Sequence, residues 1–347
     1  MALRLAARIA VAGPITVADY MEACLHDPAD GYYATRPDLG EAGDFITAPH
    51  VSQMFGELLG AWAAEIWTQM GAPTRVRLVE LGPGDGTMMS DVLRAARAAP
   101  GFIEAIELVL LETSAPLRAR QAETLPRAFW ISDLGELETD APVIVLANEF
   151  LDCLPIRQAV KCADGWRERR VGLDRSGGLA FVLGDSLPEI DWDGDQDAVI
   201  EWSPELTAAG ARIGDLLAQA GGAALLFDYG RDQPGPSGDT LQALRAHRKE
   251  HPLASPGVAD LTAHADFPTF LSTAAVLGAS THPLANQGAF LRALGIEARA
   301  ATLARANPSE AAKIGRQVQR LVAPEQMGEL FKVACVSSPG LQPPGFA

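Results

Sequence analysis

The sequence predicts an α/β protein built on a Rossmann-like parallel sheet. The first observation is an apolar run at residues 76–81 that suits a buried strand. The second is the turn that follows it, in which Gly82, Gly84 and Gly86 stand at alternate positions. The third is a stretch from 88 to 99 whose apolar residues recur at helical spacing. A strand, a glycine turn and a helix in this order form the unit that holds nucleotides in such sheets.

Further apolar runs of strand length supply the rest of the predicted sheet. They cover residues 106–111, 129–131, 142–147, 223–227 and 331–336. Polar residues or glycines follow five of the six strands. Asp, Asn and Gly also occur in ordinary turns, so one such strand end indicates little. Five in series predict a ligand site, because open α/β sheets bind ligands at the carboxyl ends of their strands.

The chain is expected to divide near Pro73. Residues 1–73 are predicted as a mainly helical region that contributes to the pocket for cofactor and substrate. This region includes a helix at 52–70, where apolar residues repeat at helical spacing. Residues 74–347 are predicted as the Rossmann-like core.

Two insertions are predicted within this core. The first covers about 159–200 and contains a β-hairpin, because alternating stretches flank a turn at Ser176-Gly177-Gly178. The second covers about 231–325 and is expected to supply helical substrate-binding elements. A polar helix is predicted within it at residues 239–251.

The glycine spacing narrows the choice of ligand. A dinucleotide fingerprint has the spacing G-x-G-x-x-G, whereas here the third glycine comes one position early and Thr87 stands in its place. Glu80 precedes the turn and places a carboxylate at the mouth of the site. A carboxylate there would repel a pyrophosphate, but it suits the cationic amino-acid end of S-adenosylmethionine. The E-x-G-x-G-x-G pattern resembles the first motif of class I methyltransferases. The cofactor residues predicted from this motif are Glu80, Gly82, Pro83, Gly84 and Gly86.

Two later strand ends extend the predicted cofactor site. Glu112 ends the second strand, where one carboxylate can accept hydrogen bonds from both hydroxyls of a ribose. Thr113 and Ser114 follow it directly. Asp133 and Leu134 follow the third strand and are predicted to hold the adenine.

Long stretches of the chain are similar to one known family. They include G-P-I-T-V-A-D-Y-M, V-E-L-G-P-G-D-G-T-M-M and A-N-E-F-L-D-C-L-P. On these stretches, which occur in order along nearly the whole chain, the sequence resembles the MidA family of methyltransferases. The mitochondrial member of that family assists assembly of respiratory complex I. The matching stretches are residues 13–21, 27–33, 43–49, 52–58, 79–89, 111–121, 147–155, 166–169, 228–230, 239–247, 259–267, 287–291 and 327–332.

The resemblance implies a class I methyltransferase fold with S-adenosylmethionine as the cofactor and an antiparallel closing strand at 331–336. It also implies symmetric dimethylation of a protein arginine, on both terminal nitrogens of the guanidinium. A subunit of respiratory complex I is the target that the resemblance suggests. Gly43, Asp44 and Phe45, from the G-D-F motif, complete the predicted cofactor site, and Asp44 is also a candidate for the pocket wall.

Arginine methylation needs groups that hold a guanidinium, whose pKa above about 12 prevents its deprotonation in advance. Carboxylates can grip it with paired hydrogen bonds and can hold the proton that is released. Glu149 and Asp152, at the end of the fourth strand, are the predicted catalytic residues, together with Asn148. The alternative is that the two carboxylates cap the N-terminus of a helix.

The predicted substrate pocket contains His50, Asp260, His264 and Asp266. The last three could be read as a metal site, but no further ligand is evident, and hydrogen-bonding roles are favoured. No metal is therefore predicted. His50 departs from the family, which usually has Pro-Glu where this chain has Pro49-His50. This departure supports the alternative of a binding or assembly factor whose catalytic site has drifted.

Composition limits the partners and the location. The formal net charge of −16 argues against nucleic acid, so the predicted partner is a protein substrate that presents an arginine. No apolar stretch reaches the ~18 residues of a membrane span. The 4 cysteines are too scattered for a zinc knuckle or a redox pair, which favours a cytoplasmic protein with reduced thiols. The sequence leaves a homo-oligomer open. It also leaves open a nicotinamide-dependent oxidoreductase, which the glycine spacing and Glu80 disfavour.

Overall fold

The computed structural model describes residues 1–35, 46–235 and 238–346. Within these residues the strands are β1 (Ile15–Thr16), β2 (Val76–Leu81), β3 (Ile106–Leu111), β4 (Phe129–Ile131), β5 (Val143–Asn148), β6 (Arg157–Cys162), β7 (Gly165–Leu173), β8 (Leu179–Ser186), β9 (Val199–Trp202), β10 (Gly222–Arg231), β11 (Gln242–Arg245), β12 (Arg248–Glu250), β13 (Asp260–Thr262), β14 (Ala265–Asp266), β15 (Ser280–Thr281), β16 (Ala285–Asn286) and β17 (Phe331–Ser337).

The α-helices within the same residues are α1 (Ala2–Ala12), α2 (Val17–His26), α3 (Tyr32–Thr35), α4 (Ala48–Val51), α5 (Gln53–Gln69), α6 (Thr87–Ala96), α7 (Phe102–Ala105), α8 (Ala115–Thr124), α9 (Pro204–Ala220), α10 (Phe267–Val276), α11 (Gln287–Ala293), α12 (Ile296–Ala306) and α13 (Ala311–Val322). Among the helices described, none is both long and apolar enough to span a bilayer.

The central sheet has the strand order β15-β17-β10-β5-β2-β3-β4, with β14 beside β10 and β16 beside β17. Strands β4, β3, β2, β5 and β10 run parallel, and β17 is antiparallel to β10. The predicted α/β class is therefore confirmed, including the antiparallel closing strand. The chain passes outward from β2 to β3 and β4 before it returns to β5 on the other side of β2. Such a switch point leaves a crevice at the carboxyl ends of β2 and β5, where ligands bind.

Both faces of this sheet are covered, because its parallel strands are apolar on both sides. All 6 residues of β2 are buried. On one face, Phe55 and Leu59 of α5 belong to the apolar layer. On the other face, Ile213 of α9 and Phe270 of α10 belong to a second layer. Each such side chain stabilises the fold by roughly 1.5–3 kcal/mol, so the two layers hold the strand ends in fixed positions.

The insertion after β5 forms a separate sheet of order β1-β7-β6-β9, with β8 paired to β7. Strands β7 and β8 are antiparallel, which confirms the predicted hairpin around Ser176-Gly177-Gly178. Strand β1 pairs with β7 and so ties the N-terminal region to this insertion. Tyr20 and Met21 of α2 pack in the same apolar cluster as Leu261 of β13. The proposed division of the chain near Pro73 remains a prediction.

One predicted element is wrong. Residues 239–251 do not form a polar helix, because β11 and β12 form an antiparallel hairpin there and β11 also pairs with β13. Ala243 is buried opposite Leu261, while Ala246 and His247 adopt the left-handed conformation at the turn. Pairing with β13, which lies later in the chain, overrides the local helical pattern.

Candidate functional site

A cavity of about 630 Å³ lies at the carboxyl ends of β2, β3 and β5. This volume is typical of a small-molecule site. The structure brings most of the predicted site residues together here. Those that line the cavity are His50, Glu80, Gly82, Pro83, Gly84, Glu112, Thr113, Asp133, Asn148, Glu149 and Asp152. Those placed outside its lining are Gly86, Ser114, Leu134, Asp260, His264 and Asp266. Gly43, Asp44 and Phe45 lie outside the described residues.

The glycine turn forms one wall of the cavity. Gly82, Gly84 and Gly86 have φ angles of 62°, 55° and 83°, in the left-handed region that side chains disfavour. A Cβ atom on Gly82 would lie 3.3 Å from the ring of Phe150. Gly86 precedes the first residue of α6 and shapes the turn from outside the lining. The backbone of this turn can therefore approach a ligand closely.

Glu80 places at the cavity a carboxyl group with one oxygen atom that has no partner in the described part of the chain. Its side chain is almost fully buried, and its Oε2 atom has no hydrogen-bond partner in residues 1–35, 46–235 and 238–346. Burial raises the pKa of Glu80 well above its ordinary value, and the charges of Asp85 and Glu112 act in the same direction. A buried acceptor without a partner is costly unless a ligand satisfies it. The site therefore fits a ligand with a cationic end.

Glu112 is held in place by a network that the sequence did not predict. Its Oε1 atom accepts a hydrogen bond from the backbone N–H of Ser114 at 2.8 Å, and its Oε2 atom accepts one from Gln121 at 3.1 Å. The amide of Gln121 also donates to the carbonyl of Gly84 at 2.7 Å, so it joins the second strand end to the glycine turn. Burial raises the pKa of Glu112. The sequence did offer a signal for Gln121, because this residue lies in stretch 111–121, which is similar to the family.

Of the residues predicted to hold the adenine and the ribose, Asp133 lines the cavity, whereas Ser114 and Leu134 do not. Ser114 caps α8 through a 3.4 Å hydrogen bond from the backbone N–H of Leu117, which explains why its side chain lies outside the lining. Asp133 lines the cavity and accepts a hydrogen bond from the backbone N–H of Gly135. Leu134 packs against the second apolar layer instead.

Asn148, Glu149 and Asp152 line the cavity at the carboxyl end of β5. Glu149 has a φ of 54°, an uncommon left-handed value for a residue with a side chain. Its Oε1 atom accepts a 3.0 Å hydrogen bond from the Asn148 amide, whose own oxygen has no partner within the described part of the chain. Burial raises the pKa of Glu149 to about 8, and the nearby charge of Asp152 adds to this shift. Strained backbone of this kind concentrates at functional sites.

Asp228 fixes the turn that carries these carboxyl groups. Its fully buried side chain accepts hydrogen bonds from the backbone N–H groups of Leu151 at 2.8 Å and of Asp152 at 3.1 Å. Burial raises the pKa of Asp152 to about 6 and that of Asp228 well above its ordinary value. No helix begins at residues 149–156, where a turn leads into β6, so the helix-cap alternative for Glu149 and Asp152 was wrong.

The N-terminal region supplies an aromatic wall. His26, Tyr32 and Tyr33 line the cavity, and the rings of Tyr32 and Tyr33 meet edge to face at 5.2 Å. The hydroxyl of Tyr33 donates to Asp260 at 2.8 Å, so Asp260 supports the wall from behind. Sequence reasoning missed the two tyrosines, although they end the D-P-A-D-G-Y-Y stretch.

His264 and Asp266 lie in a separate recess, which corrects their predicted place in the substrate pocket. The reason is that β14 pairs with β10 and leads directly into α10, whose first turn Asp266 caps by accepting from Thr269 at 3.1 Å. Asp266 also forms an ion pair with Arg231. Within the described residues, no three His, Cys, Asp or Glu side chains are grouped to hold a metal ion.

Known proteins with similar sequences are named as methyltransferases. Residues 58–284 match a family of S-adenosyl-L-methionine-dependent methyltransferases. The chain is 36% identical, over 94% of its length and 84% of the relative, to the mitochondrial protein arginine methyltransferase NDUFAF7 of Danio rerio. It is 37% identical to the protein of that name from Homo sapiens, over 93% of this chain and 80% of the relative.

A solved structure extends the comparison. A crystal structure of a Burkholderia thailandensis protein with bound S-adenosyl-homocysteine matches with a TM-score of 0.84 and 29% identity, covering 99% of this chain and 93% of the other. Together with the family match, it confirms S-adenosylmethionine as the predicted cofactor. The nicotinamide alternative is therefore not supported. The predicted cytoplasmic location was wrong, because the curated relatives from Danio rerio, Homo sapiens and Drosophila melanogaster are all named mitochondrial.

Proposed function

The chain belongs to the MidA family of S-adenosyl-L-methionine-dependent methyltransferases, and from that premise we propose that it methylates an arginine side chain of a protein. The names of the curated relatives support this substrate. The observation that carries the proposal is the pair of carboxyl groups that line the cavity at the carboxyl end of β5, the partly buried Glu149 and the buried Asp152. Two carboxylates bind a planar guanidinium more strongly than neutral hydrogen-bond acceptors would.

The half of the cavity around the glycine turn would hold the cofactor. When bound, S-adenosylmethionine supplies an activated methyl group on a sulfonium. The carboxylate of Glu80 would bind its ammonium group, and Glu112 would accept hydrogen bonds from the ribose hydroxyls. Asp133 and Thr113, which line the same half, would lie beside the nucleoside.

The carboxyl groups of the second half would hold and orient the arginine. Asp152 is kept in position by Asp228, and Glu149 by Asn148. A cation beside Glu149 would favour its ionised form, although burial alone raises its pKa to about 8. The ionised carboxylate would then accept the proton that leaves the guanidinium nitrogen as that nitrogen gains a methyl group. Holding the nitrogen at reacting distance and excluding water would account for most of the catalysis.

We also propose that residues 1–73 complete the pocket, which the lining positions of Tyr33 and His50 support. Symmetric dimethylation, on both terminal nitrogens, and a complex I subunit as the target remain predictions from the family resemblance. The cavity volume of about 630 Å³ lies within the roughly 300–1,000 Å³ that small-molecule sites span.

The substrate class can be tested without knowing the target protein. The enzyme would be incubated with methyl-labelled S-adenosylmethionine and a peptide library that carries arginine at one fixed position. The same library with lysine at that position is the control. We expect label in the arginine library, on the guanidinium, and none above background in the lysine library. Equal labelling of both libraries, or labelling of lysine alone, would refute arginine as the substrate.

A further inference from the structure

His50 forms two hydrogen bonds that its sequence position does not reveal. Its Nε2 atom lies 3.1 Å from Oδ2 of Asp85, and its Nδ1 atom lies 2.8 Å from Oγ1 of Thr47. The Asp85 carboxylate is an acceptor, so Nε2 carries the donated hydrogen. In the neutral ring Nδ1 then accepts from the Thr47 hydroxyl. His50 is therefore fixed at both nitrogen atoms.

Asp85 belongs to the glycine turn, between Gly84 and Gly86. Its Oδ1 atom accepts a 3.0 Å hydrogen bond from the backbone N–H of Thr87, at the start of α6. Its Oδ2 atom is the one that meets His50. The side chains of both His50 and Asp85 are mostly buried, at 17% and 12% exposure. The pair therefore connects α4 to the cofactor side of the cavity at a place with little competing water.

The same short segment also reaches the other half of the cavity. The backbone N–H of Ala48, two residues before His50, lies close enough to the carboxyl group of Glu149 to lower its pKa. Thr47 and Pro49 line the cavity between these two contacts. Residues 47–50 thus contact the glycine turn at one end and a proposed arginine-binding carboxyl group at the other.

We infer that His50 is a positioning residue, which anchors residues 47–50 to Asp85 and so aligns the glycine turn with Glu149. His50 stands where the family usually has glutamate, and in this chain it donates a hydrogen bond to Asp85. The part of this inference that concerns Glu149 rests on the proposed function, whereas the part that concerns the cofactor does not.

The contact between His50 and Asp85 can be measured by a double-mutant cycle. The variants are His50→Leu, Asp85→Ala and the double variant. The dissociation constant for S-adenosylhomocysteine would be determined by calorimetry. Loss of a hydrogen bond to a charged group predicts roughly tenfold weaker binding in each single variant. Asp85 also accepts from Thr87 and lies 3.9 Å from Arg120, so its variant loses further contacts. The double variant should therefore bind no more weakly than the Asp85 variant alone, because that variant has already lost the contact with His50.

Conservative and remote variants provide the controls. His50→Gln can still donate to Asp85 and should restore the affinity to within about threefold of the wild-type value. His247→Asn changes an exposed histidine in the turn between β11 and β12 and should leave binding unchanged. In methyl-transfer assays, His50→Leu should raise the KM for S-adenosylmethionine, which loss of fold stability alone would not do.

Two results would overturn the inference. One is additive loss of affinity in the double variant, which would show that the two residues act separately. The other is wild-type affinity in Asp85→Ala, which removes the acceptor while His50 is unchanged and therefore decides the case even if His50→Leu fails to fold. Because cofactor binding needs no arginine substrate, either result can be distinguished from a failure of the proposed arginine methylation.

Discussion

The phenolic hydroxyl of Tyr33 donates a 2.8 Å hydrogen bond to Asp260, a residue 227 positions further along the chain. Asp260 is only 1% exposed, and Tyr33 lines the cavity beside the carboxyl groups of Glu149 and Asp152. This bond is one of several contacts between the N-terminal region and the rest of the chain, which include the pairing of β1 with β7. The wall that faces the proposed arginine is a product of this long-range contact.

Tyr33→Phe should weaken methyl transfer and lower the free energy of unfolding by about 1–3 kcal/mol, because Asp260 loses a buried donor. Tyr20→Phe is the matched control, since the Tyr20 hydroxyl donates to the carbonyl of Pro252 at 2.7 Å, away from the cavity lining. Chemical unfolding and steady-state kinetics of both variants would separate the effects. If Tyr20→Phe reduced the rate as much as Tyr33→Phe did, the wall would have no specific role.

Glu149→Gln should lower kcat by roughly 10²-fold, the usual scale for losing a proton acceptor. It keeps the size of the side chain and its contact with Asn148, so the dissociation constant for S-adenosylhomocysteine should stay the same. Kinetics and calorimetry on one preparation would check both expectations. A wild-type kcat in this variant would remove Glu149 from the proposed mechanism.

The pH profile gives a second view of Glu149. Burial raises the pKa of its carboxyl group to about 8, so the group is mostly protonated below that pH in the free enzyme. Since only the ionised form can accept a proton, kcat/KM should rise with pH and level off above about 8. In Glu149→Gln the rise should be absent. A rise that persisted in the variant would assign it to another group.

Glu112→Gln should weaken S-adenosylhomocysteine binding by roughly tenfold, because an amide has one acceptor oxygen where the carboxylate has two for the ribose hydroxyls. The exposed Glu123→Gln, on α8, makes the same chemical change outside the lining of the cavity. Calorimetry on the two variants would show how much Glu112 contributes to the affinity for S-adenosylhomocysteine. Equal affinities for the two variants would contradict the ribose role of Glu112.

Gly82→Ala should weaken cofactor binding in addition to lowering the free energy of unfolding. The residue has a φ of 62°, and an added Cβ would meet the Phe150 ring at 3.3 Å in the cavity wall. Gly177→Ala, in the β7–β8 turn, has a φ of 82° with no atom within 4 Å of its added Cβ. Both variants carry backbone strain of about 1–2 kcal/mol, which thermal unfolding would compare. Only Gly82→Ala should also lose affinity for S-adenosylhomocysteine.

Local patterns were sufficient to predict the main strands of the central sheet, the helices near residues 52–70 and 88–99, and the cofactor. An apolar run of strand length and a glycine turn both depend on residues that are close together in sequence. The spacing of the three glycines was already enough to distinguish this turn from a dinucleotide site. The hairpin of β11 and β12 was beyond this reasoning, because Ala243 is stabilised in a strand by Leu261, which follows it by many residues.

By itself, then, the sequence determined the fold class, the family and the strand ends where Glu80, Glu112 and Glu149 lie. Only the tertiary structure decided which partners hold them. Gln121 joins Glu112 to the glycine turn, and Asp228 fixes the turn that carries Asp152. The same holds for His50, which the sequence placed in the substrate pocket and the structure joins to Asp85. Hydrogen bonds between distant segments form only after the chain has packed, so their geometry leaves no periodic pattern in the sequence.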